Sequence, residues 1–114
     1  MTAAQHLART RAETIAQIAA LTAEFDEVVA ASASSNADDE HDPEGATIAF
    51  ERQQVAALLE QARRRLTDVD DALARTEAGD YGRCAECGRD IAPERLAARP
   101  HARTCIDCAA APRR

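Results

Sequence analysis

Apolar positions near the start of the chain recur in alternating steps of four and three residues, at Leu7, Ile18, Leu21, Phe25 and Val28, with Arg11 and Thr14 filling the two seats between. Such spacing keeps one stripe on one side of an α-helix and marks a heptad seam. A second stripe runs through Ile48, Val55, Leu59, Ala62, Leu66, Val69 and Leu73. The stretch "TAAQ" at residues 2–5 has the capping-box pattern, in which Thr2 accepts the amide three residues on and Gln5 reaches back, so the first helix starts there. The second helix opens at "DPEG", where Asp42 suits the cap and Pro43 the first helical position. Gly79 suits its stop, because glycine enters the left-handed turn after a helix without a Cβ penalty. These signals predict helices near residues 3–34 and 43–78.

Between the stripes lies "ASASSNADDEHDPEG", small, polar and turn-prone. If the chain reverses near residue 37 or 38, Leu7 faces Val69, Thr14 faces Ala62, Ile18 faces Leu59, Leu21 faces Val55 and Val28 faces Ile48. Agreement over several layers predicts an antiparallel helical hairpin whose arms, at 1.5 Å per residue, are roughly 40–50 Å long. With two phenylalanines, one tyrosine and no tryptophan, its core is a thin stripe, and helix propensity must carry much of the order.

At 114 residues the chain is one ordinary domain, or a small module on a simple scaffold. No run of 18 apolar residues could span a bilayer, and the N-terminus lacks the pattern of a secretory signal, so a cytoplasmic setting is expected. Charge is unevenly spread: residues 1–82 hold 16 of the 20 acidic residues and 7 of the 14 basic ones, whereas residues 83–114 hold 4 and 7. An acidic body argues against general binding to the phosphate backbone of DNA, which runs on Lys and Arg. A protein partner fits better. Five carboxylates, Asp38, Asp39, Glu40, Asp42 and Glu44, crowd the turn with only His41 and Pro43 among them. Elsewhere Glu60, four residues before Arg64, reads as an ordinary ion pair on a solvated helix face.

The four cysteines form two close pairs, Cys84-x-x-Cys87 and Cys105-x-x-Cys108, separated by 17 residues. A two-residue spacer lets one tight turn aim two sulfurs at a single ion, and Gly88 suits the positive-φ position of such a knuckle. Four thiolates close a tetrahedron around zinc and leave no position for substrate, which favours a structural site. Two dithiol redox centres are the competing reading of the same pairs. His101 is a further candidate ligand that four cysteines make unnecessary, and it reads better as a packing histidine. Tyr81 reads as packing where hairpin meets finger. No Cys-His or Ser-His-Asp arrangement offers an activated nucleophile, so catalysis is not expected.

The segment "GDYGRCAECGRDIAPERLAARPHARTCIDCA", preceded by a helical hairpin with a polar turn, resembles the DksA/TraR family of bacterial zinc-finger proteins. The likeness covers about residues 42–109 well and the first helix in pattern only. It implies a mainly α fold: an antiparallel two-helix coiled-coil hairpin over residues 1–80 with an acidic tip at about 35–44, a small C4 zinc ribbon over 81–110 at the end away from the tip, and a short tail, 111–114. It also implies one structural Zn2+ held by Cys84, Cys87, Cys105 and Cys108. The function implied is a transcription regulator that binds RNA polymerase rather than DNA, passing its hairpin tip through the secondary channel, in several relatives together with the alarmone ppGpp.

"RLAARP" at residues 95–100 matches the family's segment between the knuckles. The tip differs. The DksA pattern Asp-x-x-Asp-x-Ala, laid on Asp42, puts Gly45 at the second acid and Thr47 at the alanine. A shifted register restores two acids, Asp39 and Asp42, and ends at Glu44, which makes these three the candidate partner-binding residues. Longer relatives continue past the last cysteine into a helix that grips polymerase and helps form the ppGpp site, where the present sequence ends in "AAAPRR". A zinc-ribbon interaction module with another partner, and a thiol redox sensor, are the alternative functions.

Overall fold

The computed structural model describes residues 1–34 and 43–111. Two long helices, α1 (Ala3–Ser34) and α2 (Pro43–Ala78), are followed by two short ones, α3 (Pro93–Ala98) and α4 (Ile106–Ala110). Among the described residues the only extended pairing is an isolated antiparallel bridge between Arg83 and Asp90.

The ends of the long helices follow from their local chemistry. At the start of α1 the Thr2 hydroxyl accepts the Gln5 amide at 3.1 Å, and the Gln5 side-chain oxygen accepts the Thr2 amide at 2.9 Å. The capping box therefore forms in both directions, satisfying donors that a helix start leaves without partners. At the end of α2, Gly79 has φ +82 and the Asp80 amide reaches back to the Arg75 carbonyl at 2.9 Å. That is the six-to-one bond of a Schellman stop, and it needs the left-handed glycine. Asp42, the expected cap of α2, lies outside the described residues.

The chain divides into two compact units, Thr14–Arg64 and Met1–Glu13 with Arg65–Arg114. In the first, Leu21, Val55, Leu59 and Ala62 form a buried cluster, with Ile18 and Phe25 packed against it. The later part of α1 thus lies against the early part of α2, antiparallel and in the expected register. Thr14 is buried in the same seam at 2% exposure. Glu60 and Arg64 make the expected pair at 3.3 Å on the outer face of α2.

In the second unit, Leu7, Val69 and Ala72 are completely buried, with Leu73 and Tyr81 packed on them. Arg11 takes its seat in the stripe by reaching sideways, its Nε 2.7 Å from Asp70 Oδ1. Both side chains are about half exposed, and such a pair contributes at most ~1 kcal/mol. Ala72 lies outside the heptad stripe and is buried with Leu7 and Val69 in the cluster on which Tyr81 packs.

Candidate metal centre

The finger is a short piece of chain with little apolar interior: the buried apolar residues described between 81 and 111 are Cys84, Ile91 and Ala102, joined by Pro100. Its order comes from backbone bonds around the two cysteine pairs. In the first knuckle the Gly88 amide donates to the Cys84 carbonyl at 2.9 Å and the Cys84 amide to the Arg89 carbonyl at 2.8 Å. Gly88 has φ +75, a conformation that costs an ordinary L-residue roughly 1–2 kcal/mol. The second pair sits differently. Cys105 directly precedes α4 and Cys108 lies one turn on, so a helical turn, with the Ala109 amide on the Cys105 carbonyl at 2.9 Å, aims both sulfurs the same way. The Ala85 amide on the Arg103 carbonyl at 2.8 Å ties one knuckle to the approach of the other.

The result is that all four sulfurs lie within 4.8 Å of one another. A tetrahedron with metal–sulfur bonds of ~2.3 Å has sulfur–sulfur edges of ~3.8 Å. The Cys87 and Cys105 sulfurs are 3.8 Å apart, and all four cysteines are free thiols. The donor set and its size fit a zinc ion. Bound there, zinc would supply folding energy and would leave its four-coordinate shell closed.

The thiols themselves show why a cation suits the site. Burial pushes Cys84 up, but amide and thiol hydrogen bonds from Cys105, Cys87 and Glu86 outweigh it and bring its pKa to about 6. Cys108 is pushed up to about 12 by its sulfur contacts with Cys105 and Cys84 and by burial. One thiolate is readily held; four at this spacing repel, and a divalent ion removes the repulsion.

His101 is not among the clustered ligands. It is half-buried, and its Nδ1 is enclosed without a hydrogen-bond partner. Burial first, then Arg99 and Arg65, lower its pKa, against the opposing pull of Asp68. It is a packing histidine, lining an open cleft with Asp68, Arg95, Arg99 and Arg103.

Finger and helices are joined by two side chains of the same unit. The Tyr81 hydroxyl donates to the Pro100 carbonyl at 2.9 Å while its ring packs on the Leu7 cluster, and burial raises its pKa above the ordinary tyrosine value. Arg75 Nη2 lies 3.4 Å from the Ala102 carbonyl. Removing the tyrosine hydroxyl leaves the Pro100 carbonyl short of a donor, so Tyr81→Phe is expected to cost about 1 kcal/mol. Denaturant unfolding of zinc-loaded protein measures it; a change under ~0.3 kcal/mol would mean that water replaces the hydroxyl. Sequence reasoning placed Tyr81 at this junction, but missed Arg75 and Arg95, whose Nε donates to the Thr104 carbonyl at 2.8 Å. Arginines recur throughout this segment, and nothing in their spacing singles these out.

Of the tip residues, Asp39 and Asp42 lie outside the described residues, and Glu44 enters only through its place in the first turn of α2.

The prokaryotic dksA/traR C4-type zinc finger matches residues 79–113. Over 49 residues, 43% of this chain, the sequence is 39% identical to the RNA polymerase-binding transcription factor DksA of Escherichia coli K12, covering 32% of that protein. It is 46% identical over 44 residues to an uncharacterized protein of Aquifex aeolicus, covering 39% of this chain and 30% of that one. With the uncharacterized protein YteA of Bacillus subtilis it shares 39% over 66 residues, covering 58% and 28%. The matched segments thus span about a third of the length of these curated relatives. The solved structure of transcription factor DksA2 from Pseudomonas aeruginosa matches more broadly, with a TM-score of 0.75 and 31% identity over 94% of this chain and 77% of that one.

Proposed function

Since the chain belongs to the DksA/TraR family of C4 zinc-finger proteins, we propose that it is a DksA-like regulator that binds RNA polymerase through the secondary channel and has no catalysis of its own. The observation that carries this is the match of nearly the whole chain, helices and finger together, to DksA2. On this reading one zinc, held by Cys84, Cys87, Cys105 and Cys108, keeps the finger folded as an anchor. The acidic segment with Asp39, Asp42 and Glu44 is the effector. In a confined channel of low screening its carboxylates act on the catalytic magnesium or its basic surroundings.

Two measurements test the reading. The purified chain is expected to bind core RNA polymerase at micromolar concentration and to alter initiation in vitro. The triple change Asp39→Asn, Asp42→Asn and Glu44→Gln is expected to keep that binding within a few-fold and to abolish the effect on initiation. Asparagine caps helices as well as aspartate does, so unchanged helicity would assign the loss to charge. Failure of the wild type to bind polymerase would sink the proposal in favour of an interaction module with another partner. A triple variant that regulates normally would remove the tip from the mechanism.

A further inference from the structure

Residues 99–104 carry the chain from α3 to Cys105 without helix or strand, so groups from other parts of the unit hold them in place. Alternate carbonyls of this segment accept side-chain donors: Pro100 from Tyr81 at 2.9 Å, Ala102 from Arg75 at 3.4 Å and Thr104 from Arg95 at 2.8 Å. The last is the shortest and stands nearest the sulfurs. The Thr104 carbonyl belongs to the peptide that enters Cys105, and Cys105 begins α4 with no side-chain cap of its own. The hold on that peptide therefore comes from Arg95.

Arg95 acts from a fixed base. Directly before α3 the Ile91 amide donates to the Gly82 carbonyl at 2.7 Å, and Ile91 is buried at 3% exposure, which ties the helix to the stem of the first knuckle. Leu96, the neighbour of Arg95, lies over Gly82, its Cδ1 3.5 Å from where a Cβ on that glycine would stand. We propose that Arg95 is a positioning residue of the metal centre: anchored on the stem of the first knuckle, it holds the Thr104–Cys105 peptide so that the second cysteine pair meets the first at metal spacing. A charge-assisted bond to a carbonyl is stronger than a neutral one, and the planar guanidinium gives it direction as well as distance. Ordering Cys105 beforehand removes part of the entropy loss that the ion must otherwise offset on binding. The claim rests on the four-cysteine zinc site, not on any protein partner, and extends it to a residue outside the two pairs.

The test compares wild type with Arg95→Ala, Arg95→Lys and Arg103→Ala, the last an exposed arginine of the same segment that controls for lost charge alone. Zinc affinity is read by competition with a chromophoric chelator. Alkylation of the zinc-loaded proteins by iodoacetamide, resolved by mass spectrometry on singly modified chains, reads each cysteine separately. Arg95→Ala is expected to lose roughly tenfold in zinc affinity, the lower end of effects seen when a group that orients a metal ligand is removed. Its alkylation should rise several-fold at Cys105 and Cys108 and stay unchanged at Cys84 and Cys87. Arg95→Lys keeps the charge but not the planar fork and should fall between. Arg103→Ala should stay within about twofold of wild type, since an exposed charge is screened by salt. Wild-type affinity in Arg95→Ala, an equal loss in Arg103→Ala, or a rise shared by all four cysteines would overturn the positioning role, the last by showing a general loss of finger stability. If Arg95→Ala fails to fold by circular dichroism, Arg95→Lys decides in its place, and parity with wild type in both readouts overturns the role. A wild type that takes up no zinc would overturn the metal centre itself, and the proposal with it.

Discussion

Stripping the metal from the purified protein is expected to unfold the finger completely while leaving helical structure behind. The described interior of residues 81–111 holds too few apolar side chains to offset the entropy of ordering some thirty residues, at roughly 1–2 kcal/mol each for the backbone alone. Structural zinc in comparable peptides supplies ~10–16 kcal/mol, which is large enough to decide the outcome. Without the ion, four sulfurs within 4.8 Å have nothing to hold them together. Replacing Cys84 or Cys105 by Ser should act in the same direction, since a tetrahedral site with one thiolate removed binds far more weakly. Metal analysis under reducing conditions should return one zinc per chain, and amide NMR after chelation should show residues 81–111 collapsing to random-coil positions. A metal-free protein with an unchanged finger spectrum would refute the zinc reading. Because Tyr81 covers the Leu7 cluster, chelation should also loosen the neighbouring turns of α1 and α2.

Leu7→Ala is expected to destabilise the protein by about 3 kcal/mol, within the ~2–5 kcal/mol found for leucines truncated in well-packed interiors. Leu7 is completely buried and meets Val69 and Ala72, with Leu73 and Tyr81 closing over it. No larger apolar side chain stands in this stripe to fill the space, since the next two seats of α1 are Arg11 and Thr14. The start of α1 is then held mainly by its capping box and the Arg11–Asp70 pair, each contributing on the order of 1 kcal/mol. Denaturant unfolding of the zinc-loaded variant measures the loss, and hydrogen exchange over residues 3–13 should locate it. A loss below ~1 kcal/mol would show that the site closes over the deleted atoms.

The fold was legible in the sequence to the extent that it is one-dimensional. A helix with a heptad stripe exposes its period, its caps and its partner's register in residue order, and the pairs Leu7 with Val69 and Ile18 with Leu59 follow from counting. The cysteine pairs were legible for a related reason: a two-residue spacer determines within one turn where two sulfurs can point. The burial of Ala72 was not legible from the stripe, nor was the packing of Tyr81 on its cluster, which depends on the chain folding back beyond the helix stop. Arg75 escaped for the same cause, since its partner Ala102 lies 27 residues on.

By itself, then, the sequence determined the two helices, their antiparallel register, the glycine stops at Gly79 and Gly88, and the four thiols as a closed donor set. Each of these depends on neighbours a few residues away or on a strict period. Only the tertiary structure decided that the second pair is presented by a helical turn, that His101 stands apart from the sulfurs with its Nδ1 enclosed, and that Cys87 is the most exposed of the four cysteines. Those depend on contacts between segments far apart in the chain, where a side chain's reach is settled by what packs beside it and no local pattern records the outcome.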